Sequence, residues 1–144
     1  MDIITTAPAP CQRAQAYARF LAQAADRPFE WGVWDCVRFA AAAVHALTGV
    51  DHLAGLTWAS QTEALRMLRD LGGLRAAVSG VLGEPIAAGL ARAGDVVLAV
   101  DPHADDGREL LAICHGPYLI AAGAAGMTVL PLSAGVCTWR CNHG

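Results

Sequence analysis

An α+β fold, with N-terminal helices packed on a C-terminal antiparallel sheet of about five strands, is predicted by three features of the sequence. Apolar residues recur at helical spacing through the first half of the chain. After Gly94 the pattern changes to short β-prone runs separated by turn residues. The joints between those runs are short enough for consecutive strands to form an antiparallel meander, and helices followed by strands is an α+β order. At 144 residues the chain suits one domain with one core, spanning 1–144 with residues 1–10 as a loose leader.

The first helix runs from Cys11 to Ala25, where Ala14, Tyr17, Ala18, Leu21 and Ala25 share a face. Asp26-Arg27-Pro28 ends it, and Phe29 to Trp34 form an aromatic loop leading to Asp35, a favoured N-cap residue. The second helix extends from Cys36 to Leu47 and stops at Thr48-Gly49, with Cys36, Phe39, Ala40, Ala43, Val44 and Leu47 on one stripe. Ser60-Gln61-Thr62-Glu63 is a capping-box pattern that opens a third helix through Leu65, Leu68 and Leu71, closed by Gly72-Gly73. A fourth is predicted from Leu74 to Leu82. Strands follow at Asp95–Val100, Glu109–Cys114, Tyr118–Ala122, Met127–Leu130 and Val136–Cys141.

Composition excludes several function classes. No uninterrupted apolar stretch reaches the ~18 residues of a membrane span, so no membrane insertion is expected. Met1-Asp2-Ile3-Ile4 carries an acid where a signal peptide carries basic residues, which predicts synthesis in the cytoplasm. A net charge of −3 offers no basic face for nucleic acid. Hydrophobic residues make up 55% of the chain and charged ones 16%, a surface so poor in charge that a partner is expected over part of it. The five cysteines are odd in number and irregularly spaced, which reads as free thiols.

Cys36 is the first candidate for chemistry. A cysteine in the first turn of a helix meets unpaired backbone N–H groups and the positive end of the dipole, which stabilise the thiolate. Asp35 beside it pulls the other way unless it is occupied in capping. A plain buried cysteine fits the same position, since free cysteine is among the most buried residue types.

The string Pro28-Phe29-Glu30-Trp31-Gly32-Val33-Trp34-Asp35-Cys36-Val37-Arg38-Phe39, followed by Gly94-Asp95-Val96-Val97-Leu98, resembles the NlpC/P60 branch of the papain-like cysteine peptidases. That family places an Asp-Cys nucleophile at a helix start after a Trp-Gly segment, then a Gly-Asp strand. Trp31-Gly32 through Ala41, Leu71-Gly72-Gly73, Pro131-Leu132-Ser133 and Trp139-Arg140 are similar to uncharacterised phage and prophage members often encoded among tail genes. The resemblance covers residues 10–141. It implies a papain-like fold, a virion setting, other phage tail proteins or peptidoglycan peptides as partners, and no cofactor.

The resemblance also implies a histidine base at the start of the second strand and a tyrosine supporting the oxyanion. Leu110 stands at the first place and Phe29 at the second. His103, in the first hairpin, is the substitute base by chain position. His45 is nine residues along the helix of Cys36, roughly 13 Å away, and cannot serve. His52, His115 and His143 read as surface histidines. The predicted catalytic set is therefore Cys36, Asp35 and His103.

Three further features carry alternatives. Asp101 to Gly107 gathers oxygen ligands for a hard cation, or forms a solvated hairpin tip. Cys114, Cys137 and Cys141, with His143, would suit zinc or an iron–sulfur cluster, or pack as small apolar residues. Among the tryptophans, Trp31 and Trp139 are expected in the core and Trp34 and Trp58 at a rim; Trp31, Trp34 and Trp58 are the candidate contact residues for substrate or partner. Three functions follow: a pseudoenzyme acting in phage tail-tip structure or assembly, a cell-wall cysteine hydrolase using Cys36, or a metal or iron–sulfur binding module using Cys114, Cys137 and Cys141.

Overall fold

The computed structural model describes residues 10–102 and 106–141. Four helices come first: α1 (Pro10–Ala24), α2 (Cys36–Thr48), α3 (Gln61–Asp70) and α4 (Leu74–Leu82). Their ends follow the punctuation of the sequence. Asp35 caps α2 by accepting from the Arg38 amide, and Ser60 caps α3 by accepting from the Glu63 amide. Gly49 closes α2 in the left-handed conformation, with φ of 83°, which only glycine adopts without strain.

Six strands follow: β1 (Ile86–Ala87), β2 (Val96–Val100), β3 (Glu109–His115), β4 (Tyr118–Gly123), β5 (Gly126–Pro131) and β6 (Gly135–Trp139). They form one antiparallel sheet in the order β1-β6-β2-β3-β4-β5. The expected meander therefore holds only from β2 to β5. The last strand crosses back and inserts between β1 and β2, placing Cys137 opposite Leu98 and Trp139 opposite Val96. Joint length limits which strands can neighbour but does not choose among them. Here the return is fixed by burial of Trp139, whose indole donates to Ser79 Oγ of α4 at 3.2 Å, and by Asp95, whose buried carboxylate accepts from the Cys141 amide at 3.2 Å. The two residues of β1 are too few to show a period in sequence.

All four helices serve one face of the sheet. Val96, Leu98, Leu111, Ile113, Ile120, Cys137 and Trp139 meet Phe20, Phe39, Val44 and Leu74 there. The opposite face buries a second cluster of Val97, Ala99, Ala112, Cys114, Leu119, Ala121 and Leu130, with Ala91 and Ala134 packed against it. Burial on both faces explains why β2 reads as an unbroken apolar run rather than an alternating one. It also absorbs part of the apolar composition that the sequence pointed toward a partner. No helix among the described residues is long and apolar enough to cross a membrane.

Candidate functional site

The N-terminus of α2 is held by a compact polar network. Asp35 is buried and accepts three hydrogen bonds: from the Gly32 amide at 2.9 Å, the Arg38 amide at 2.9 Å and the Trp58 indole at 2.7 Å. Arg38 stacks its guanidinium 4.0 Å from the centre of the Trp58 ring and donates to the carbonyls of Gly32 and Leu56. The Trp-Gly-x-x-Asp segment is thus a clasp joining the aromatic loop, α2 and the loop before α3. Gly32 is required in it: its φ is +81°, and a Cβ there would collide with the Trp58 carbonyl.

Cys36 follows the clasp and faces β3. Pairing of β3 with β4 covers only Ile113 to His115, so Glu109 to Ala112 carry no β4 partner on that side. The Leu111 backbone amide, left free of β4, lies near enough to the Cys36 sulfur to favour its charged form. Even so, burial pushes the thiol up to about 11, with Asp35 adding to the rise, while the Leu111 amide, the residue's own backbone and Arg108 oppose it. The helix-start position leads one to expect a lowered value. Desolvation of the charged form outweighs the dipole, which is itself partly consumed by the Asp35 cap. At neutral pH the thiol is therefore mainly protonated.

The sulfur opens into a cavity of about 240 Å³ between α2, α3, α4 and the sheet. Its wall is almost wholly apolar; Asp35, His52, Gln61, Arg108 and Glu109 are the polar residues among those described. Among the described residues no histidine hydrogen-bonds the Cys36 sulfur. The thiol in this wall is held mainly in its protonated form.

The sequence family described as a domain of unknown function (DUF6950) matches residues 11–141, nearly the full length. The chain belongs to the DUF6950 family. No curated protein and no solved structure gives a significant match.

Several sequence expectations change in this DUF6950 structure. Leu111, not Leu110, faces Cys36: β3 alternates sides with period two, which sends Leu110 to the far cluster and Leu111 to the helix side. His52 is half-buried in the cavity wall rather than a surface residue, because the loop after α2 folds back over the helix. His103 and His143 lie outside the described residues, as does the centre of the Asp101 to Gly107 tip. His115 is half-buried and hydrogen-bonded through Nδ1 to the Tyr17 hydroxyl at 3.2 Å.

The tryptophans redistribute as well. Trp34 is only 7% exposed and packs on Phe20 and Phe39, with the Arg27 guanidinium 4.2 Å from its ring centre; it is core, not rim. The bridge between Glu30 and Trp34 turns it inward. Trp31, expected in the core, is half-buried and lines the cavity with Trp58. Trp139 is core as expected. Cys137 and Cys141 share the helix-side core, but Cys114 belongs to the opposite face, so the sheet itself separates the three expected metal ligands. Among the described residues no group of three metal-ligating side chains forms.

Proposed function

We propose that this chain is a papain-like, NlpC/P60-like domain that has lost its hydrolytic chemistry and acts in the tip structure or assembly of a phage or prophage tail. One observation carries the loss of chemistry: Cys36, in the nucleophile position, is a protonated thiol in an apolar wall, with its pKa near 11 and Leu111 on the strand where a base would stand. Asp35 cannot take the base's place. Its oxygens are committed to three donors that hold the helix start.

The papain-like assignment is supported by α2, headed by Asp35-Cys36, packing across the strands that follow Gly94-Asp95. The tail setting is supported by the ordered set Trp31-Gly32, Leu71-Gly72-Gly73, Pro131-Leu132-Ser133 and Trp139-Arg140. The competing reading, an active cell-wall hydrolase, draws on His52 sharing the cavity with Cys36.

Two experiments test the proposal. Purified peptidoglycan is incubated with wild type and Cys36→Ala, and released muropeptides are quantified. Release at the buffer level by both proteins is expected; release that depends on Cys36 overturns the loss of chemistry. Particles from a host carrying the intact gene and from a deletion strain are then compared by mass spectrometry and electron microscopy. The chain is expected in tails, or tails are expected to be defective without it. Absence from particles together with normal tails in the deletion strain overturns the tail role.

A further inference from the structure

Protein interiors leave few voids larger than a water molecule. The cavity beside Cys36 departs from that rule at about 240 Å³, and it is framed by side chains unusually apolar for a surface opening. Leu56, Leu65, Leu71 and Val81 line it while remaining 46 to 60% exposed. Its charged groups are Asp35, Arg108 and Glu109. Asp35 is consumed by the clasp, and Arg108 has no ion-pair partner among the described residues. Arg108 lies near enough to Cys36 for its charge to act on the sulfur. Besides His52 and Gln61 in the wall, the space thus offers a cationic side chain at the start of β3 and an apolar body between α3 and α4.

This chemistry suits an amphipathic small molecule with a hydrocarbon tail and a single negative charge. An apolar cavity of about 150 Å³ holds one benzene ring, so this one takes roughly ten carbon atoms. A stem peptide of cell wall would leave its amides and charges without partners against these leucines, which is costly. We propose that the cavity binds a free medium-chain carboxylic acid of about ten carbons, its tail between α3 and α4 and its carboxylate on Arg108. Glu109 opposes the ligand charge and limits the site to one anionic group.

The inference goes beyond the tail reading and does not depend on it, because binding is measured with neither peptidoglycan nor tail present. Decanoate is titrated into the full chain, following tryptophan fluorescence and heat. Trp31 and Trp58 line the cavity and report on its filling. Saturable one-to-one binding is expected, weaker for hexanoate and no tighter for hexadecanoate. Arg108→Gln is expected to weaken decanoate about tenfold and to leave decanol unchanged; Arg108 is exposed, so this variant carries little risk to folding. Ala77→Phe, which fills the cavity from α4, is expected to abolish binding. The proposal is overturned by absence of saturable binding, by affinity that keeps rising through hexadecanoate, or by binding that Arg108→Gln leaves intact.

Discussion

The Trp58 indole donates to Asp35 Oδ2 at 2.7 Å across 23 positions of the chain. This one contact pins the loop before α3 to the head of α2 and, with the Gly32 and Arg38 amides, occupies the carboxylate next to Cys36. Of the neighbouring pair Asp35-Cys36, the carboxylate holds backbone and indole donors while the sulfur faces the cavity.

Asp35→Ala removes a helix cap and leaves the Gly32 amide, the Arg38 amide and the Trp58 indole short of an acceptor. A loss of roughly 2–4 kcal/mol is expected from the cap and the stranded donors together. Trp58→Phe, which keeps the ring under Arg38 but removes the donor, is expected to cost about 1–2 kcal/mol. Urea denaturation with an unchanged slope and a shifted midpoint checks both.

Gly32 and Gly55 have almost the same positive φ, +81° and +82°, but different surroundings. A Cβ at Gly32 meets the Trp58 backbone, whereas at Gly55 it meets nothing within 4 Å. Gly55→Ala is expected to cost about 1 kcal/mol, the strain of the left-handed conformation alone. Gly32→Ala adds a backbone collision and is expected to cost at least about 3 kcal/mol or to prevent folding. Equal thermal shifts in the two variants would contradict the clasp geometry.

Thr138 is fully buried, and its hydroxyl has no hydrogen-bond partner among the described residues. Valine has the same shape without the polar atom. Thr138→Val is expected to raise stability by about 1 kcal/mol, because the folded state no longer holds a desolvated hydroxyl. A lowered denaturation midpoint would show that the hydroxyl is satisfied in solution.

Stability is expected to fall in alkaline solution. Burial raises Cys36 and Cys141 from 9.0 to about 11 and Tyr17 from 10.0 to about 12. Below pH 9 the two thiols are protonated in both folded and unfolded chains and contribute no slope. Between pH 9 and about 11 the unfolded chain releases protons that the folded chain retains, so unfolding becomes easier as pH rises. Cys36→Ala is expected to flatten part of that decline. In alkylation near neutral pH followed by mass spectrometry, Cys11, which is exposed, is expected to react well before Cys36.

The helices were legible because their ends are marked by local chemistry. Asp35, Ser60, Gly49 and the Gly72-Gly73 pair act on backbone groups within a few residues, so periodicity plus punctuation placed α1 to α4 almost to the residue. The strands from β2 to β6 were legible for the same reason, since turn residues bound each run. The site was legible only in part. Cys36 at the head of a buried helix could be read directly, but the residue facing it could not, because moving one position along β3 exchanges Leu110 for Leu111.

The sequence by itself determined which segments are helix and strand, the Asp35 cap, and the absence of a histidine from the start of β3, because these depend on neighbours a few residues apart. Tertiary structure alone decided the return of β6 beside β2, the separation of Cys114 from Cys137 and Cys141 by the sheet, the burial of Trp34, and the bond between Trp58 and Asp35. It also decided the state of Cys36. A helix start lowers a thiol's pKa through local dipoles, whereas burial raises it through solvent removed by α3, α4 and β3 together, and no stretch of sequence records that sum.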